Sequence, residues 1–201
     1  MKQKKKAKLN VQTIVWLALY LAIIIMFTFT PYTGYITIGI ISITTIPLII
    51  LIASIHLGYL GILWTSFNFG LWSYLGSIIL HFPLFNNPLI SFLPRVILGL
   101  VLCLFYWLLF KKWRFNIYSV GIYAFLIFTF NTLLVSIMVF IIIQFTTLEN
   151  IPNPYAWFML IWLNMIVEWG VLEVISLGLY PFLKWIWNKN QELIYNKINY
   201  E

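Results

Sequence analysis

Charge is what this sequence has least of. Of its 201 residues only 8% are Asp, Glu, Lys or Arg, against 63% that are hydrophobic. A soluble domain carries about 25% charged residues to cover its surface, so this chain has too little polar surface to face water on all sides. An ordinary soluble domain is excluded, and the bilayer is the solvent that fits. Cysteine is scarcer still. The single Cys103 allows no disulfide within the chain and sits in an apolar run, where a thiol behaves as a small hydrophobe. The two histidines, His56 and His81, are far apart, and neither a His/Cys cluster nor an HExxH spacing is present to hold a metal. The phosphate-cradling pattern GxxxxGK followed by Ser or Thr is missing, and so is a GxSxG nucleophile elbow. Catalysis has almost no material here, and the expectation is a protein that is neither an enzyme nor dependent on a cofactor.

The charges that do occur are basic in excess, giving a net charge of +7. They cluster at the ends of apolar runs, which points to membrane topology and away from nucleic acid. A span needs about 20 mostly apolar residues. The sequence predicts an all-α polytopic fold, a single domain of six transmembrane helices over residues 11–29, 36–57, 59–80, 92–110, 116–145 and 155–187. Proline removes a backbone donor, so Pro47 predicts a kink or break near Thr44–Pro47. The stretch 81–91, with Pro83, Asn86, Asn87 and Pro88, reads as a loop, and so does 146–154. Residues 11–29 follow five lysines as a signal peptide would, but they are long enough to span and no small-residue cleavage pattern follows, so they read as a retained helix. Lysines 2, 4, 5, 6 and 8, then Lys111, Lys112 and Arg114, then Lys184, Lys189 and Lys197 fall on one side of a six-span chain, whereas the alternate loops carry no Lys or Arg. That asymmetry places both termini in the cytoplasm. No internal repeat is evident.

Arg95 is the exception, near the outer end of the fourth span. A guanidinium at the centre of a span costs about 2.5–3.5 kcal/mol on translocon scales, and less near an interface. It reads either as an interfacial arginine reaching lipid phosphates or as a planar donor fork for a carboxylate or phosphate ligand. Asn164 and Glu168 share one face of the sixth span, and Glu173 lies about 140° around it. One of these acids pairing with Arg95 would lock two helices together; the alternative is a polar wall for a ligand. Trp64, Asn68 and Trp72 form a stripe on the third span, and Asn131 is mid-span on the fifth. Each amide would be accounted for by a bond between helices. Taken together, Trp64, Asn68, Trp72, Arg95, Asn131, Asn164 and Glu168 supply an aromatic pocket with a few convergent polar groups, the make-up of a small-molecule site. On the first span, Ala18 and Ala22 give a flat strip for another helix.

The run 34–47, ending in Ser42, Thr44, Thr45 and Pro47, continues through Leu57-Gly58-Tyr59-Leu60-Gly61 to Phe67-Asn68-Phe69-Gly70-Leu71-Trp72-Ser73. Asn87-Pro88, Ser91 and Leu93-Pro94-Arg95 through Gly99 follow. This pattern resembles the substrate-binding S component of energy-coupling factor (ECF) vitamin transporters, most closely the pantothenate branch. It covers spans two to four, while spans five and six match by length and topology alone. Where the family typically has Gly-Pro after span two, this chain has Gly58-Tyr59.

The resemblance implies a bacterial plasma-membrane protein that binds a vitamin near the outer face, under the loop joining spans one and two. It implies a membrane coupling protein with two cytoplasmic ATPases as partners, docked on Ala18 and Ala22, and release by toppling of the S component in the membrane. On that reading Arg95 takes the pantothenate carboxylate. Asn131, Asn68 and Glu168 meet its amide and hydroxyls, and Trp64 or Trp72 packs on its methyl groups. Two other readings compete. One is a ligand-free six-helix scaffold subunit of cell-shape type, or an S component for another vitamin. The other is a membrane enzyme or proton-coupled carrier built on Glu168 and Glu173.

Overall fold

The computed structural model describes residues 10–30, 33–38, 41–112, 115–145 and 154–199. The N-terminal lysines, Arg114 and the 146–153 part of the expected loop lie outside the described residues. Helix α1 (Val11–Phe29) is followed by a hairpin of β1 (Tyr35–Ile38) and β2 (Ile41–Thr44), then by α2 (Ile46–Leu57) and α3 (Tyr59–Ile79). A 3-10 turn (Pro83–Asn86) leads to α4 (Pro88–Ser91), α5 (Leu93–Tyr106) and a π-helical end at Trp107–Lys112. The chain finishes with α6 (Ile117–Phe145), α7 (Pro154–Gly178) and α8 (Tyr180–Asn199).

The first apolar run forms α1 over the residues expected. The second does not form one helix from 36 to 57. Its first half is an antiparallel hairpin in which Tyr35 faces Thr44 and Ile36 faces Ile43. Ile36, Thr37, Ile38, Ile41, Ile43 and Thr44 are β-branched, a composition that packs well on a pleated strand and crowds the preceding turn of a helix. Pro47 is the second residue of α2, where its missing N–H costs nothing. The expected break is therefore a change from strand to helix. The sixth run is also divided. Gly178 ends α7, and Pro181 occupies the first turn of α8, so no single helix runs from 155 to 187. The expected loop at 81–91 contains the 3-10 turn and α4.

Four helical stretches are long and apolar enough to cross a membrane: Val11–Phe29, Pro88–Phe110, Ile117–Ile142 and Ile161–Gly178. Helix α3, at 21 residues, is long enough but interrupted by polar residues. Helix α2 has 12 residues and rises only about 18 Å, short of the ~30 Å hydrocarbon core. Large apolar side chains face outward on several helices; Val174 is 70% exposed and Leu100 61%. Such surface is stable against lipid and not against water. The chain is an all-α polytopic membrane protein.

Inside, Ile24, Ile50, Ile62, Phe69, Leu98, Tyr123 and Phe128 form the main core among α1, α2, α3, α5 and α6. Two glycines set its close approaches. Gly58 adopts φ +61 between α2 and α3, a left-handed conformation that turns the chain back within one residue. Gly70 lets α5 lie directly against α3, because a Cβ there would sit 2.9 Å from the Phe92 carbonyl and 3.1 Å from Arg95 Cβ.

Candidate binding site

A cavity of about 130 Å³ opens where the hairpin meets α3 and α5. Thr28 of α1, Tyr35 of β1, Ser73 and Ser77 of α3, Phe82 and Phe85 of the connection, and Arg95 of α5 line it. Arg95 is 4% exposed. Its Nη1 donates to the carbonyls of Ile90 and Ser91, at 2.7 and 2.9 Å, which are left open where α4 ends. Its guanidinium lies 5.1 Å from the ring centre of Phe69 and 5.7 Å from that of Phe85, a contact that suits a cation on an aromatic face. Its Nε is buried without a partner, and no carboxylate among the described residues is hydrogen-bonded to it.

Short local contacts fix this geometry. Asn87 caps α4 by accepting from Leu89 N at 2.9 Å. Ser77 Oγ donates to the Phe85 carbonyl at 2.8 Å, and Ser91 Oγ donates to the same oxygen. Two hydroxyls on one acceptor hold the Phe85 ring beside the guanidinium. Tyr35 Oη donates to Ser73 Oγ at 3.3 Å, which places the hairpin over the cavity.

The other strand of the hairpin reaches α7. Thr44 N donates to Glu168 Oε1 at 2.9 Å, and Thr132 Oγ1 of α6 donates to Glu168 Oε2 at 3.0 Å. Glu168 is 2% exposed, so its carboxylate binds the hairpin to two helices out of water. Thr45 completes the hairpin base, its N donating to Gly34 O at 3.0 Å and its hydroxyl to Thr33 O. These bonds satisfy the polar groups at the base of the hairpin.

Of the residues singled out from the sequence, the structure brings Arg95 to this cavity. Trp64 Nε1 donates to Leu17 O at 2.9 Å and ties α3 to α1; Asn68 Nδ2 donates to Trp64 O at 2.8 Å within α3. Trp72 lies edge-on to Phe29, with Nε1 buried and without a partner among the described residues. Asn131 is buried beside Thr132, and its Oδ1 has no partner among the described residues. Asn164 lies half-buried one turn from Glu168 on α7. Arg95 and Glu168 are each held by other groups, so the helix-locking pair is not formed between them. Glu173 packs against Gly121 of α6, with Oε2 buried and without a partner among the described residues. Ala18 and Ala22 are exposed on α1, in line with exposed Val15 and Met26.

Tyr35, Ser73, Ser77, Phe85, Thr44 and Thr132 were not read from the sequence as site residues. Ser73 and Ser77 stand four apart on the helix that carries Trp72, which is a signal, but hydroxyls in apolar helices usually bond their own backbone. Among the described residues no three His, Cys, Asp or Glu side chains come together as a metal site.

No protein-family model matches the chain. It is 30% identical to the pantothenate transporter PanT of Leuconostoc mesenteroides subsp. mesenteroides, across 78% of this chain and 82% of that protein. Together with the apolar helices, this similarity makes it a multi-pass protein of the bacterial cell membrane. The chain belongs to the family of this bacterial transporter.

Proposed function

We propose that the chain is the substrate-binding S component of an ECF importer and that its ligand is pantothenate. The observation that carries the reading is Arg95, a buried cation that lines the cavity, with Nε unpartnered and no carboxylate hydrogen-bonded to it among the described residues. Burying an unpaired cation is costly, and a bound carboxylate offsets that cost through charge-assisted hydrogen bonds. The relative's name supplies the ligand that fits: pantothenate has one carboxylate, one amide, two hydroxyls and a pair of methyl groups. Tyr35, Ser73 and Ser77 surround Arg95 with hydroxyls for the polar end. Asn131 Oδ1 and Trp72 Nε1, without a partner among the described residues, do not line this cavity and stay outside the proposed site. Glu168 serves as the anchor of the hairpin that covers the ligand. Trp64 ties α3 to α1, and Asn68 bonds within α3.

The rest of the reading concerns delivery. Six crossings, with α2 and its hairpin counted as one and both termini inside, agree with the basic residues. The exposed strip of Ala18 and Ala22 is where a coupling protein carrying two ATPases would dock.

Titration of the purified chain in nanodiscs with pantothenate tests the site. Wild type should bind, and its melting temperature should rise with ligand concentration. Arg95→Ala should bind about 10–100-fold more weakly, the loss expected for a hydrogen bond to a charged group. Unchanged affinity in Arg95→Ala would place the site elsewhere. Failure of the wild type to bind pantothenate would remove the ligand assignment.

A further inference from the structure

At the opposite end of α1 a second cavity, about 260 Å³, lies among α1, α2 and α8. It is larger than the Arg95 cavity and has a different chemistry. Trp16, Ile52, Phe182, Trp185 and Ile186 give it apolar walls, while Gln12, Tyr20, His56, Lys189 and Asn190 line it as polar groups. No carboxylate among the described residues lines it. The cavity is held in place by specific bonds. Asn190 Nδ2 of α8 donates to His56 O at 2.7 Å, closing the last turn of α2. The His56 ring is fixed by Tyr20 Oη on its Nδ1 at 2.9 Å and by the Trp16 ring, edge-on at 4.5 Å.

Helix α8 presents two faces. Leu183, Ile186 and Asn190 turn inward, and Phe182, Lys184, Trp185 and Lys189 are exposed. Phe182 and Trp185 stack with their centroids 6.1 Å apart, and Lys189 Nζ lies 5.1 Å over the Trp185 ring. Aromatic rings alternating with lysines are the composition of a helix lying at a membrane interface. A largely apolar cavity lined by the cation Lys189, next to exposed aromatics, fits an amphiphile with a negative head. A soluble polar solute would leave most of these walls unmatched.

We propose that this cavity binds one anionic phospholipid, its phosphate on Lys189 and its acyl chain along Trp16, Ile52 and Phe182. The leaflet is the cytoplasmic one, which rests on the orientation given above; the cavity's chemistry does not. An anionic head is preferred because clustered lysines near the inner surface gain from negative lipid charge.

Native mass spectrometry of the full chain, released from nanodiscs of phosphatidylglycerol or of phosphatidylcholine with the same acyl chains, tests this. One phosphatidylglycerol should be retained at least about tenfold more often than phosphatidylcholine. Lys189→Glu, at an exposed position, should abolish that preference. Trp16→Ala should weaken retention of both lipids. Pantothenate binding at the other end of the molecule should be unchanged in Lys189→Glu, which reports an intact fold and keeps this test separate from that of the vitamin site. Equal retention of the two lipids by wild type, or an unchanged preference in Lys189→Glu, overturns the proposal. So does a thermal shift with inorganic phosphate and none with phosphatidylglycerol, which would identify a phosphate site.

Discussion

Gly70 sits where α3 meets the residue on which the binding proposal depends. A Cβ at this position would stand 2.9 Å from the Phe92 carbonyl and 3.1 Å from both Arg95 Cβ and Phe92 Cδ2. The carbonyl is backbone and cannot turn aside, so Gly70→Ala must push α5 outward. Overpacking of this kind costs about 1–3 kcal/mol. The displacement also moves the guanidinium relative to Tyr35 and Ser73. Gly70→Ala is therefore expected to lower the melting temperature and to weaken pantothenate binding together, whereas Arg95→Ala should weaken binding with the larger effect on affinity. Thermal unfolding and a binding titration on the same preparations separate the two. If Gly70→Ala melts and binds as wild type does, the close α3–α5 contact is not what positions Arg95. Arg95 was legible from the sequence because a basic residue outside the inner clusters breaks the charge pattern. Tyr35 and Ser73 were not legible. Hydroxyl side chains are common in apolar helices, and the two meet only because the hairpin folds back over α3.

The hairpin is where reading by elements failed and where the structure adds most. Residues 36–57 were read as one apolar run, although Ile36-Thr37-Ile38 and Ile41-Ser42-Ile43-Thr44 alternate apolar and polar residues, the period-two signal of a strand. The density of β-branched residues before Pro47 was the remaining clue. Gly178 and Pro181 were the equivalent clue for the break between α7 and α8, within a stretch whose apolar composition runs on without a gap. By contrast α1, α3 and α6 follow the expected bounds to within one residue, because each is a long apolar stretch ended by a proline, a glycine or a change in composition. The hairpin's attachment makes a prediction of its own. Glu168 accepts from Thr44 N and from Thr132 Oγ1. In Glu168→Gln the amide oxygen still accepts from Thr44 N, and the Thr132 hydroxyl rotates to accept from the amide nitrogen. In Glu168→Ala both bonds are lost. A hydrogen bond to a charged group contributes about 1.5–3 kcal/mol. Glu168→Ala should therefore raise amide exchange across β1 and β2 by about 10–100-fold and speed pantothenate release, while Glu168→Gln stays close to wild type. Equal exchange in all three proteins would mean that the carboxylate does not hold the hairpin down. An affinity loss in Glu168→Gln as large as in Glu168→Ala would mean that the charge itself contacts the ligand, which is the role the sequence alone assigned to Glu168.

On the scale of the whole molecule, the proposed vitamin site and the proposed docking strip lie on different parts of the bundle. The Arg95 cavity is enclosed by α1, the hairpin, α3 and α5. Ala18 and Ala22 face outward from α1, with Leu17, Tyr20 and Ile24 turned to the core on its other side. Small residues exposed on a membrane helix do not improve its contact with lipid, since lipid packs as well against leucine. They do let another helix approach closely. A bulky residue on this strip should block that approach without reaching the cavity. Ala18→Trp and Ala22→Trp are each expected to leave pantothenate affinity in nanodiscs within about twofold of wild type, since additivity holds for distant sites, and to abolish ATP-dependent uptake in vesicles that contain the coupling protein and its ATPases. The outcome also discriminates among the readings that the sequence left open. A carrier acting alone through Glu168 and Glu173 would transport in vesicles lacking ATPases, and tryptophan on α1 would not stop it. A scaffold subunit would neither bind the vitamin nor transport it in either preparation. An importer that depends on a coupling protein is the reading in which binding survives the substitution and uptake does not.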